Sequence, residues 1–227
     1  MSYDTNAAVP PDIVASLPPL DLLRQVLALH IIEIPVGYKL VRAAWNPPSV
    51  WPERVTKTYR YGPHDSLKDA TSFPFHWIYA AEEVLTAAWE AQLCSNPAIY
   101  PGRFTVQFGA EKALIATLIF KRPLRLFDLS GIAASRLGIY DQLRSPDYEW
   151  CQWFGFVLDQ ILVEQGGQVH GFVYPSRRHP GAPAYAISSR VRQELVSDLT
   201  TVVKEFGETA EFKELLGDPC YLERSLL

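Results

Sequence analysis

No stretch of this chain is apolar for the roughly 20 residues that a bilayer crossing needs. The longest candidates, residues 113–120 and 155–163, have the length of a strand or a buried helix. The opening residues carry no basic segment, and Pro-Pro pairs at 10–11 and 18–19 interrupt any apolar run before Leu20, so no secretory signal is expected. Cysteine is scarce: Cys94, Cys151 and Cys220 are odd in number and lack metal-type spacing, which predicts reduced thiols in a cytoplasmic protein. The five histidines form neither H-E-x-x-H nor any other paired spacing, and no metal site is expected. A net charge of −4 offers no general attraction to nucleic acid, so direct nucleic-acid binding is not expected either. Glycine-rich phosphate loops of the Walker or Rossmann type are missing, which removes support for a nucleotide triphosphatase or a dehydrogenase. There is also no G-x-S-x-G elbow and no internal repeat.

What is present is the composition of a soluble globular protein, with 48% apolar and 20% charged residues among 227. That length suits one sizeable core with short appendages. The chain divides into a Pro-rich segment and helix over residues 1–35, a catalytic-sized domain over 36–207, and a peripheral acidic tail over 208–227.

Leu22, Leu23, Val26 and Leu29 lie at helical spacing and predict a helix over 21–32. Alternation over 38–45 predicts a strand carrying Arg42. Residues 46–75, rich in proline and charge, read as a long loop. A short aromatic strand is expected at 76–80, a helix at 82–94, and strands at 105–108, 113–120 and 124–129. Helices at 130–137 and 148–165 follow, the second stopped by Gly166-Gly167. Strands at 169–174 and 184–187 flank a loop holding Ser176, and a long helix is expected over 191–206. Irregular interspersion of strands and helices is an α+β pattern, without the regular alternation of a doubly wound sheet.

Three distant segments carry a common chemical theme. Arg42 follows Leu40-Val41 on a strand whose neighbours read as buried, and a guanidinium entering a core requires an anion. Tyr79 ends the aromatic strand, and Glu90 stands eleven residues later on the next helix, where the ring could stack on a flat group and the carboxylate could lie beside a ribose. Ser176 sits in Tyr-Pro-Ser-Arg-Arg, where a hydroxyl and backbone N–H groups could bind phosphate, with Arg177, Arg178 and His179 forming a local positive patch. No adjacent base is visible for Ser176, so it reads as a binder and not as a nucleophile.

Leu40-Val41-Arg42, Thr58-Tyr59-Arg60-Tyr61-Gly62-Pro63, Ile78-Tyr79-Ala80-Ala81 with Ala87, Ala88 and Glu90, and His170 to Arg177 stand in one order. In that order they resemble the RES family, named for its arginine, glutamate and serine, whose characterised members are NAD-consuming bacterial toxins. The resemblance spans roughly residues 38–190. It implies an ADP-ribosyltransferase-like fold, a split β-sheet core with surrounding helices cradling NAD. It further implies that Arg42 grips the diphosphate, with Arg60, Tyr61, Ser176 and Arg177 also contacting substrate. Tyr79 would stack in the nicotinamide–ribose region, and Glu90 would stabilise the oxocarbenium-like ribose as nicotinamide leaves. NAD would be a substrate, with water, phosphate or a protein side chain as acceptor, and no cofactor is implied. A cytoplasmic complex with a helix-turn-helix antitoxin is implied as well, with room for a homodimer inside it. Where several relatives follow the opening arginine with an aromatic or histidine, this chain has Ala43, so ring stacking there would fall to Trp45 or Tyr61 or be absent.

Two other readings stay open. One is a module of the same ancestry that holds NAD or another nucleotide without cleaving it, and the other is a fold in which the motifs are structural only. Incubation with NAD separates the three.

Overall fold

A computed structural model describes residues 9–69 and 72–223. The chain enters through a short helix, α1 (Pro11–Ser16), with proline at its start where no intrahelical donor is needed. Helix α2 (Leu20–Leu29) follows and buries Leu23, Val26 and Leu27. The expected helix over 21–32 stops at Leu29, because Ile31, Ile32 and Ile34 belong to a strand, β1 (Ile31–Ile34). β-branched residues favour the pleated geometry. Strand β2 (Lys39–Ala44) carries Arg42 as expected. The long loop that follows holds two 3₁₀ turns among its described residues, Pro47–Ser49 and Asp65–Leu67.

Strand β3 (Trp77–Ala81) leads into helix α3 (Val84–Glu90), which is shorter than the predicted 82–94. Gln92 adopts φ 58° and turns the chain out of the helix. Cys94 then starts a two-stranded ribbon of β4 (Cys94–Ser95) and β5 (Thr105–Val106). Glu90 is therefore the last residue of its helix.

Strands β6 (Leu114–Phe120) and β7 (Leu124–Asp128) precede α4 (Ile132–Arg136) and the long α5 (Tyr148–Glu164). The Asp147 side chain caps α5 by accepting from the Glu149 N–H. Strands β8 (Gly171–Pro175) and β9 (Pro183–Ser188) bracket the Ser176 loop. The predicted long helix over 191–206 is instead a five-residue helix, α6 (Arg192–Val196), and a strand, β10 (Leu199–Glu205). Thr200, Thr201, Val202 and Val203 are β-branched, and β10 pairs with β6 from Leu199↔Phe120 to Glu205↔Leu114. Helix α7 (Ala210–Gly217) closes the described chain and seats Leu215 in a cluster with Val41, Ala88 and Phe206.

The architecture is α+β. One large sheet runs in the order β1-β7-β8-β9-β3-β2-β6-β10, antiparallel throughout except for β7 against β8. Its weakest junction is central: β3 and β2 share the single register pair Val41↔Ala81, whereas β2 and β6 share six. The sheet is thus nearly parted between β3 and β2. Helix α5 packs Trp153, Phe154 and Phe156 into a cluster with Trp77, Phe172 and Tyr174 from the sheet. A second cluster gathers Leu40, Ile78, Val173, Tyr185 and Ile187. Gly155 brings α5 close to the 46–75 loop, since a Cβ there would lie 1.9 Å from the Tyr61 carbonyl oxygen.

Candidate functional site

A cleft opens where the sheet is parted. Its inner cavity holds about 120 Å³, and the whole cleft with its open mouth encloses about 870 Å³. β2 contributes Arg42, β3 Tyr79, α3 Glu90, the long loop Tyr59 and Arg60, and the loop after β8 Arg177 and Arg178. Four arginines therefore line a cleft with one carboxylate, which biases it toward an anionic ligand.

Arg42 is held by two backbone acceptors. Its Nε donates to the Ser49 carbonyl at 2.9 Å and its Nη1 to the Tyr79 carbonyl at 2.6 Å. Its Nη2 makes no hydrogen bond, and the guanidinium forms no ion pair, among the described residues. Burial pushes this guanidinium down to about 10, with the nearby tyrosines Tyr59, Tyr79 and Tyr174 opposing the shift. It remains a cation at neutral pH. A part-buried cation without a counterion favours the arrival of an anion.

Arg60 is buried behind the rim. Its Nη2 donates to the Leu143 carbonyl at 2.7 Å and to that of Gln142 at 3.3 Å, and the guanidinium lies over the Tyr61 ring at 5.5 Å. Its Nε and Nη1 are buried without a partner among the described residues.

Glu90, at the end of α3, is oriented by two hydroxyls. Ser176 Oγ donates to Oε1 at 2.6 Å, and the Tyr174 hydroxyl donates to Oε2 at 3.0 Å. Burial, followed by the Glu90 charge, holds the Tyr174 hydroxyl well above its ordinary pKa, so it stays protonated and donates. Tyr79 accepts the Tyr61 N–H at 3.1 Å, and its ring meets Tyr59 and Tyr174 edge-on at 6.2 and 6.5 Å.

Of the residues singled out from sequence, Arg42, Arg60, Tyr79, Glu90 and Arg177 line one cleft. Tyr61 and Ser176 do not line it. Tyr61 is fully buried beneath, its ring against Phe172 and Tyr174 and its hydroxyl donating to the Leu143 carbonyl at 3.3 Å. Ser176 is also fully buried, and its hydroxyl is already committed to Glu90 while accepting the His179 N–H at 3.0 Å. In this structure the Ser176 hydroxyl thus holds the carboxylate. Trp45 and Tyr59 line the cleft as well, both about half exposed at 47% and 52%.

Sequence reasoning missed the roles of Tyr174, Tyr148 and Tyr59. Tyr174 had a signal, since it lies at the end of the predicted strand two residues before Ser176. Tyr148 had none, because its place in the cleft depends on how α5 lies against the loop. Among the described residues, no cluster of three or more His, Cys, Asp or Glu is placed to hold a metal ion, and no helix is long and apolar enough to cross a membrane.

The family model described as RES domain matches residues 53–204. The match takes in Arg60, Tyr79, Glu90, Ser176 and Arg177, and begins after Arg42. No curated protein matches the chain.

Proposed function

The chain belongs to the RES domain family, and from that premise we propose that it cleaves the nicotinamide N-glycosidic bond of NAD. The observation that carries this reading is the presence, in one cleft, of Arg42, a cation without an ion pair among the described residues, and a carboxylate, Glu90, fixed by two donors. A dinucleotide offers the chemistry complementary to both, an anionic diphosphate and a ribose that becomes cationic as the bond breaks.

In this mechanism Arg42, Arg177 and Arg178 hold the diphosphate, and Arg60 supplies two further donors at the inner end. Tyr79 and Tyr59 bound the flat nicotinamide ring. The bond from C1′ of the ribose to the ring nitrogen breaks with its electron pair moving to nicotinamide, which leaves neutral. Positive charge develops on C1′ and the ring oxygen of the ribose, and the Glu90 carboxylate stabilises it. Charge fixed in place beforehand in this way accounts for much of the rate enhancement of many enzymes, because nothing has to reorganise during the reaction. Tyr174 and Ser176 keep the carboxylate in place by donating to it. An acceptor then adds to C1′: water gives ADP-ribose and a proton, and phosphate gives ADP-ribose 1-phosphate. A protein side chain would be ADP-ribosylated.

The wider reading is a toxin active in the cytoplasm and restrained by a helix-turn-helix antitoxin that covers the cleft. Its support is the family relationship alone.

Purified protein incubated with NAD, with and without inorganic phosphate, tests the proposal by chromatography of nicotinamide and the ribosyl product. Release of nicotinamide that Glu90→Gln abolishes supports cleavage. Saturable NAD binding without release would instead make the chain a nucleotide-binding module of the same fold.

A further inference from the structure

Glu90 and Ser176 belong to a closed ring of contacts that extends beyond the cleft. Thr86 is fully buried on α3, and its Oγ1 lies 2.7 Å from Nδ1 of His179. The His179 N–H donates to Ser176 Oγ at 3.0 Å, and Ser176 Oγ donates to Glu90 Oε1 at 2.6 Å. Glu90 lies four residues after Thr86, one turn further along the same helix. The path leaves α3 at Thr86, crosses the loop and returns to α3 at Glu90. The loop is also closed on itself, with the Ser176 N–H donating to the Ala182 carbonyl at 3.0 Å and the Ala182 N–H to the His179 carbonyl at 3.3 Å. Arg177 and Arg178, which line the cleft, lie between the two anchor points.

We propose that Thr86 and His179 are positioning residues whose contact latches the 176–182 loop onto α3, setting both the Glu90 carboxylate and the Arg177–Arg178 pair. The inference deepens the NAD reading and rests on it for its kinetic consequences. The physical reason lies in the hydroxyl of Ser176. A serine hydroxyl has one proton and rotates freely unless its lone pairs are engaged. The His179 N–H engages one of them and so aims the proton at Glu90. That N–H is in place only while its own side chain is anchored on Thr86. A buried threonine hydroxyl stripped of its partner also carries a desolvation cost, so the contact is favoured over an open loop.

The test compares Thr86→Val, which keeps the shape and removes the hydroxyl, with Thr86→Ser, which keeps the hydroxyl, and with His179→Ala. For nicotinamide release, Thr86→Val and His179→Ala are each expected to lower kcat about tenfold and raise KM severalfold, while Thr86→Ser stays within about twofold of wild type. Because both act through one contact, the double variant should be no worse than the worse single one. A merely structural role would lower the melting temperature without this split or the rescue by serine. Amide hydrogen exchange supplies a readout independent of activity: the residue-179 N–H should exchange about tenfold faster in Thr86→Val than in wild type. If wild type releases no nicotinamide, the NAD reading fails and the latch is judged on that amide alone. Unchanged exchange in Thr86→Val overturns the latch, as do wild-type kinetics in folded Thr86→Val. Should Thr86→Val not fold, His179→Ala provides the same kinetic and exchange comparison, and wild-type values there overturn it equally.

Discussion

Arg42 reaches across the parting of the sheet and donates from Nη1 to the Tyr79 carbonyl at 2.6 Å. A side chain makes this bond where a backbone ladder would otherwise run, beside the single register pair Val41↔Ala81. The same guanidinium therefore joins two halves of the sheet and faces the cleft.

Replacing Arg42 by alanine is expected to weaken NAD binding by roughly 2–4 kcal/mol, the scale of a lost charge-assisted pair. It should also lower the melting temperature, because the Ser49 and Tyr79 carbonyls lose their donor. Arg42→Lys should recover part of the affinity and little of the turnover, since a point charge cannot reproduce the planar fork. Calorimetric titration with NAD, a nicotinamide-release assay and a melting curve separate these effects. Unchanged affinity in folded Arg42→Ala would remove Arg42 from the phosphate site.

Because burial holds Arg42 down to about 10, the free protein loses this cation as pH rises through about 10. kcat/KM for NAD should fall on that alkaline side, as this ratio reports groups of the free enzyme. The stability contribution has the opposite sign. Above pH 10 the unfolded chain keeps this proton longer than the folded one, so the cost of burying the charge diminishes as pH rises. A pH series of kinetics and urea midpoints, compared with Arg42→Ala, resolves both trends.

Glu90→Gln preserves shape but removes the negative charge, and the chemical step should slow by about 10²-fold or more. NAD binding should change far less. Ser176→Ala distinguishes a positioning serine from a phosphate-binding one. With its hydroxyl on Glu90, kcat should drop by about tenfold with KM little altered. A raised KM at constant kcat would restore Ser176 to the phosphate.

Gly155→Ala sets a methyl group 1.9 Å from the Tyr61 carbonyl, an oxygen that also accepts the Trp77 Nε1 proton at 2.6 Å. Backbone must move to relieve it. Overpacking of this kind costs about 1–3 kcal/mol, and the displacement passes to Tyr79 through the Tyr61 N–H. Reduced thermal stability together with impaired NAD turnover is the expected outcome, and a fully active, fully stable variant would refute the proposed transmission.

Burial pushes the Cys94 and Cys151 thiols up, to about 12 and about 11, whereas Cys220 is exposed. Thiolate is the reactive form. A thiol reagent at neutral pH should therefore modify one cysteine quickly in the native protein and all three only after denaturation.

Strand β2, from its alternation, β3, from its aromatic run, and the long α5 with its glycine stop were legible in the sequence. The segment 191–206 was not, because its apolar residues also fit a helical spacing and only pairing with β6 selects the strand. β1 was hidden similarly behind α2, whose apolar run continues into it. At the site, motif order marked residues that share a region, and Arg42, Tyr79 and Glu90 do meet. Depth was invisible: nothing local distinguishes Tyr59, at the rim, from Tyr61, fully buried two residues later. Contacts such as Thr86 with His179, 93 positions apart, exist only through the fold.

The order of synthesis gives the late loop a temporal meaning. A growing chain that has emerged only as far as β7 contains Arg42, Tyr79 and Glu90, yet lacks both hydroxyls that orient the carboxylate. It also lacks β9, the strand on which β3 is paired along its length from Trp77 to Ala81. Truncated or stalled products ending before Tyr174 thus lack an oriented Glu90, and the cleft proposed to bind NAD is completed only with the final third of the polypeptide.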